Sequence, residues 1–327
     1  LHCSSNCIDE NTITSNNHYG IWGKSSANNI INNNIVSNSE DGIYSYYSVN
    51  ETVSHNTVLN NTWGIFLDWS SYNVLKDNNL TDNRYNFRVS GYLLSHFVQE
   101  IDTSNTVDKK PIWYIINQEN LIIDSSTFPS IGYLGLVNST NITIRNSNLT
   151  KNGQGLLFAY TNNSSIENVN ALNNYYGLYL CGSSNNSISG TTVVNNTVCG
   201  IYLKFDSKKN VVLDNAALNN GYGVYLQGSD DNTLLSNIVL DNRQNGITLS
   251  LSGGNLFRKN NMTGNGYNFG VHGYTLSHFM QDIDASNTVN GKPIYYWVNR
   301  HNQTISSDAG YVAVINSTTI TVKNLNL

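Results

Sequence analysis

Proline and charge are what this sequence has least of. Three prolines in 327 residues exclude a Pro-rich spacer. Charged residues make up 12% of the chain, about half the usual share, which excludes a highly charged disordered tail. The seventeen Lys and Arg are scattered and the net charge is −5. Without a basic stripe, nucleic acid is not expected as a partner. No apolar run approaches the length of a membrane span, so none is expected, and no signal-peptide pattern is visible.

Sulfur is scarce too, with four cysteines and two methionines. The spacing of Cys3 and Cys7 in "CSSNC" does not match a zinc knuckle, and no second pair completes four ligands. Either these two form a disulfide, with each other or with another chain, or they remain thiols near one end. Cys181 and Cys199 fall at opposite ends of their strands in the repeat described below. That places them beyond the ~7 Å Cα limit for a bridge, and no pairing is expected. Met262, Met280 and seven dispersed histidines offer none of the close Cys or Met grouping that Cu(I) favours. No metal or cofactor is expected.

What is abundant is asparagine, at 57 residues. Thirteen begin N-x-S/T sequons: Asn50, Asn60, Asn79, Asn138, Asn141, Asn148, Asn162, Asn163, Asn185, Asn195, Asn261, Asn302 and Asn316. Each is a candidate glycosylation site on a secreted protein, and together they lean towards an extracellular, cell-surface location.

The chain repeats itself. "GIWG" begins at Gly20, "GIYS" at Gly42 and "GIFL" at Gly64, and a second series follows at Gly155, Gly177, Gly200, Gly223 and Gly246. The steps are 22 or 23 residues. Relative to these glycines the asparagines fall into three columns, read as Asn17, Asn38, Asn60 and their successors; Asn28, Asn50, Asn73; and Asn11, Asn33, Asn56. The apolar pieces between columns are only two to four residues long, too short for helices. They read as short strands with alternate side chains inward, turned at corners by Asn, which tolerates left-handed backbone. The expected fold is all-β: a right-handed parallel β-helix of 22–23 residues per coil, three short strands per coil, with Asn ladders at the corners. Ile21, Ile43, Ile65, Leu178, Ile201, Val224 and Ile247 should form one inward column. One continuous solenoid over residues 1–327 is expected.

The pattern N-x-I-x-x-N…G-I-x-L…S-x-x-N resembles the repeat of NosD-like proteins and of carbohydrate-binding or sugar-hydrolase β-helices. The resemblance implies the fold, whereas activities on this scaffold differ widely.

"GYLLSHFVQEIDTSNTVDKKPIWY" (91–114) returns as "GYTLSHFMQDIDASNTVNGKPIYY" (273–296), 182 residues later. The block resembles one in large archaeal cell-surface proteins. It interrupts the ladder and reads as enlarged coils with protruding loops over 91–135 and 273–312. Two readings stand. His96, Asp102, Lys110 and Tyr114, with His278, Asp284, Lys292 and Tyr296, make two copies of a site able to do acid–base work on a sugar. Alternatively, His and Asp serve corners while Tyr and Trp cover the enlarged coils, and the block is building material.

Glycosidase chemistry needs two carboxylates about 5–10 Å apart, and "GSDDN" (228–232) reads as a corner instead. No catalytic constellation emerges, so no enzyme is expected. Neither end resembles a cap, and raw strand edges invite further strands. The expected function is an extracellular structural protein, joined to itself end to end and laterally in a surface layer, sheath or filament. A carbohydrate-binding surface module and a β-helix carbohydrate-active enzyme are the alternatives.

Overall fold

The computed structural model describes residues 4–305 and 308–327. Each regular coil holds two three-residue strands and one six-residue strand, as in Thr52–Ser54, Thr57–Leu59 and Trp63–Asp68. Each strand pairs in parallel with its counterpart in the next coil, so Ile43 lies beside Ile65 and Leu178 beside Ile201. The inward column expected from the sequence is buried throughout, from Ile21 to Ile247.

Between strands, inward Asn side chains run along the stack. Asn174, Asn196, Asn220 and Asn242 form one run, the Nδ2 of Asn196 donating to Asn220 Oδ1 at 2.9 Å and to the Ala171 carbonyl at 3.0 Å. These bonds satisfy corner backbone groups that would otherwise be buried unpaired. At some runs of adjacent Asn the sequence columns picked the residue before the rung, whereas at Asn78 and Asn260 they picked the rung itself. Asn28, Asn33 and Asn60 take left-handed φ of 56°, 52° and 55° and point outward. Asn29, Asn34 and Asn61 are the buried rungs. Glu51 replaces Asn in one ladder, its buried carboxylate accepting from Ser26 Oγ at 2.8 Å and Asn29 Nδ2 at 3.1 Å. Glycine opens the long strands because a Cβ on Gly177 would come 2.5 Å from the Gly200 carbonyl oxygen.

The coils form successive stacks. The first ends at Tyr85–Ser90, the last strand of a four-stranded sheet. The chain then makes one helical turn, Leu94–Phe97, and an antiparallel hairpin in which Thr106–Val107 pairs with Lys110–Ile116. Lys110–Ile116 in turn pairs in parallel with Tyr133–Val137, the start of the second stack. The hairpin strand is a wall shared by two cores. Ile112 and Tyr114 close the first core, while Trp113 and Ile115 pack against the second. The block is therefore an elbow between stacks, and the protruding loop read from the sequence is this hairpin with its preceding turn. The same turn and hairpin recur at Leu276–Phe279 and Lys292–Val298, which pairs with Tyr311–Ile315.

At the first elbow the end of one stack rests on the flank of the next. Leu157, Ala159, Tyr179, Cys181, Cys199 and Tyr202 point out from the second stack, yet they pack in the same cluster as Phe87, Val89 and Phe97. Tyr133 meets Phe87 edge-on at 4.9 Å, and Gln154 Nε2 donates to the Val89 carbonyl at 2.7 Å.

Candidate functional site

The outward positions of the first stack's long strands form three columns along the register. Tyr19, Asp41, Trp63 and Tyr85 make one; Trp22, Tyr44, Phe66 and Arg88 the second; Lys24, Tyr46, Asp68 and Ser90 the third. Outward side chains alternate with the inward Ile and Leu, and a pleated strand spaces them to meet their neighbours one coil away. Tyr19 stacks on Trp22 at 4.8 Å and on Tyr44 at 5.5 Å, and Tyr44 stacks on Phe66 at 5.1 Å. The outer end of this row is open, with Trp22 43% exposed.

Arg88 closes the inner end. Its guanidinium lies 4.4 Å from the Phe66 ring, 5.0 Å from Trp63, 4.9 Å from Tyr175 and 5.5 Å from Tyr176. The first two rings belong to the first stack and the last two to the second. Arg88 Nε is buried without a hydrogen-bond partner, so the rings, by cation–π attraction, stand in for ordinary acceptors.

Charge gathers in the same angle. Burial, then the neighbouring Glu40, pushes the Asp41 carboxyl up to about 6, against the pull of Arg88 and His18. Tyr44 donates its hydroxyl to Asp68 Oδ2 at 3.2 Å, and burial first, then Asp68, holds that phenol well above its ordinary range. Lys204 reaches in from the second stack, its Nζ 4.9 Å from the Tyr92 ring and 4.4 Å from Phe205. Burial lowers the Lys204 pKa, with Asp68 opposing. An acid poised near neutrality, a phenol–carboxylate pair and two cations therefore flank an aromatic row, which equips the angle to hold and protonate a polar ligand.

The residues of the repeated block do not converge in that way. His96 Nδ1 accepts from the backbone N–H of Tyr92 and Leu93 at 3.2 and 3.4 Å, and burial lowers its pKa. Asp102 is exposed and caps the next turn, accepting from Ser104 N at 3.1 Å. Tyr114 is buried and donates to the Phe97 carbonyl at 2.6 Å. Lys110 is exposed at the start of the hairpin strand. The second copy repeats the arrangement: His278 accepts from Tyr274 N at 3.1 Å, Asp284 from Ser286 N at 3.0 Å, and Tyr296 donates to the Phe279 carbonyl at 2.7 Å. Lys292 Nζ donates to the Asn326 carbonyl at 3.0 Å. Apart from the Lys292 bond to Asn326, each of these bonds holds the elbow's own backbone.

Asp41, Asp68, Arg88 and Lys204 were missed because none lies near another in sequence. The available signal was the 22-residue register, which places Tyr44 beside both Trp22 and Phe66. The sequon residues Asn50, Asn60, Asn138, Asn141, Asn163, Asn185, Asn195 and Asn316 are exposed corners with positive φ, and Asn302 is exposed with positive φ inside the strand His301–Ile305. Of the cysteines, Cys3 lies outside the described residues, and Cys7 is exposed and free. Cys181 sits opposite Lys204 and Cys199 opposite Tyr176, at opposite ends of adjoining strands, both free and buried.

A family model described as "Periplasmic copper-binding protein (NosD)" matches residues 1–99 and 115–296. The residues present do not fit copper. Cys181 and Cys199 are buried, burial pushing the Cys181 thiol up to about 12, and Met262 lies in the core. No cluster of three or more His, Cys, Asp or Glu suited to a metal is found among the described residues. A search of curated proteins finds no match.

Solved structures share the coil at low identity. A mutant of the periplasmic alginate epimerase AlgG is 10% identical, over 98% of this chain and 76% of that one, with a TM-score of 0.34. The A-module of the Azotobacter vinelandii mannuronan C-5 epimerase AlgE6 is 15% identical, over 98% and 80%, at 0.36. Pectate lyase Pel9A is 12% identical, over 93% and 70%, at 0.39. The expectation that this chain is no enzyme is corrected here. The same coil carries proteins titled epimerase and lyase. With the family model covering most of its length, the chain belongs to the NosD family of parallel β-helix proteins.

Proposed function

We propose that this protein works outside the cytoplasm, binding a polysaccharide along the aromatic row from Tyr19 and Trp22 to Phe66, with Asp41 available for acid–base work on the bound sugar. One observation carries the reading: contiguous stacked rings, open at one end, lead to a carboxyl raised to about 6. Sugar rings offer C–H faces that lie flat on aromatic planes, and exposed apolar patches of this kind mark binding surfaces. Arg88 and Lys204 favour a glycan bearing carboxylates. The periplasmic description of the family supports the location, and no described helix is long and apolar enough to cross a membrane. A panel of neutral and acidic polysaccharides tests the reading. Binding to at least one is expected, with any turnover lost in Asp41→Asn; failure to bind any member overturns it.

A second reading, assembly into a surface layer through self-association, is favoured by large apolar side chains exposed along the flank, among them Tyr72, Ile122 and Ile238, which lateral packing would cover. Electron microscopy of concentrated protein decides it: ordered arrays support assembly and dispersed monomers oppose it.

A further inference from the structure

Apart from the aromatic row, a cleft opens where the first elbow meets the corner that follows the second stack's long strands. It encloses about 730 Å³, within the range of small-molecule sites. Tyr92 of the elbow, with Tyr160 and Phe205 of the second stack, supplies its rings. Tyr92 packs edge-on against Trp69 at 4.6 Å and against Phe205 at 4.2 Å. Its carbonyl accepts from the Tyr160 hydroxyl. Phe205 is still 37% exposed, so its ring is braced without being covered.

The backbone shapes the opening. Tyr160, Gly182, Phe205 and Gly228 hold the same corner position in successive coils, with left-handed φ of 53°, 59°, 47° and 57°. Glycine adopts that conformation freely, whereas a bulky aromatic residue does so at a cost. Costs of this kind gather at ligand clamps. A Cβ on Gly182 would come 3.0 Å from the Tyr160 ring, and one on Gly228 would meet nothing within 4 Å. One glycine therefore seats a ring, and the other leaves open space a coil beyond Phe205.

The rest of the lining is polar. Asn163 and Asn185 are exposed on it, and an amide offers both the donor and the acceptor that a sugar hydroxyl needs. The Asn163 Nδ2 donates to Thr140 Oγ1 at 3.3 Å, which leaves its carbonyl oxygen to accept. The Asn185 side chain has no hydrogen-bond partner among the described residues. Asp206 is the charged group of the described lining, and Lys208 neutralises it at 2.6 Å. Lys204 lies 4.4 Å from the Phe205 ring but is not in the lining. A ligand carboxylate would therefore meet the Asp206 charge with its cation already engaged, and like charges facing each other disfavour binding. We propose that this cleft is a second saccharide site, selective for a neutral sugar that lies on Phe205 and bonds through its hydroxyls to Asn163 and Asn185. It is separate from the aromatic row and does not depend on the polysaccharide reading there.

Calorimetric titration of the full chain tests it, with cellohexaose, xylohexaose and maltohexaose as neutral probes and hexagalacturonate as the acidic one. At least one neutral hexasaccharide should bind. Phe205→Gly removes the ring without a backbone penalty, since the position already has positive φ, and should weaken that binding about fivefold or more. Asn185→Gly removes an amide that nothing else in the chain uses and should weaken it about threefold or more. If Phe205→Gly also lowers the melting temperature, Asn185→Gly decides. Hexagalacturonate should show no comparable loss in either variant. The proposal is overturned if no neutral hexasaccharide binds or if neutral binding survives both substitutions unchanged. Loss of hexagalacturonate binding as large as that of the neutral sugar overturns it as well.

Discussion

Arg88 lies 4.4 Å from the Phe66 ring of its own stack and 4.9 Å from the Tyr175 ring of the next, so a single guanidinium joins two blocks of β-helix. Its counterpart in the second elbow is Gly270, where no such bolt is possible. The first elbow is thereby both a structural joint and the inner end of the aromatic row.

Replacing Arg88 by Ala removes the cation from four rings at once. Each cation–π contact contributes about 0.5–2 kcal/mol when partly desolvated, and the contacts share one group, so a total loss of about 1–3 kcal/mol is expected in chemical denaturation. Arg88→Lys should recover only part of it, because an ammonium lacks the planar face that stacks on rings.

Asn196 and Asn195 are neighbours with opposite roles. Asn196→Ala leaves the Ala171 carbonyl and the Asn174 amide without their partners, an expected cost of about 1–3 kcal/mol for each buried group left unsatisfied. Asn195 is exposed with φ of 56°, so Asn195→Gly should be tolerated within about 0.5 kcal/mol. Thermal melting of the two variants separates them.

Burial, then Glu40, pushes the Asp41 carboxyl up to about 6 in the folded chain, above its ordinary value of 3.8. The folded state holds that proton more tightly than the unfolded one, so this group's contribution to stability is full below pH 4. It falls as pH rises from about 4 to 6 and is level above. Asp41→Asn should flatten this part of the Tm-versus-pH curve and raise Tm at pH 7. An unchanged slope between pH 4 and 6 would show that Asp41 is not the group responsible.

Cys7 is exposed, while Cys181 and Cys199 are buried with thiols held protonated by desolvation. The thiolate is the reactive form. A thiol reagent should therefore label Cys7 in the native protein, with Cys181 and Cys199 reacting only after denaturation. Mass spectrometry of labelled peptides checks this.

Much of the fold could be read from the sequence, because a solenoid writes its period directly into the chain. Glycine at Gly20, Gly42 and Gly64 and the inward Ile21, Ile43 and Ile65 needed only a count of 22. The Asn columns were read one residue early at Asn28, Asn33 and Asn60, since a single sequence does not say which of adjacent Asn takes positive φ. The elbow was harder. A hairpin that shares Ile112 with one core and Trp113 with another has the same letters as a long loop. The site was least visible, for Arg88 and Tyr175 lie 87 positions apart and meet only because one stack rests on the flank of the next.

The most direct test of the central claim is calorimetric titration of whichever polysaccharide the panel selects, using wild type, Trp22→Ala/Tyr44→Ala and Tyr267→Ala/Tyr274→Ala. Removing two stacking rings should weaken binding about tenfold or more, at roughly 1 kcal/mol per ring, while the pair on the second elbow should bind like wild type. Equal affinity for all three proteins would contradict the claim that the aromatic row is where the glycan lies.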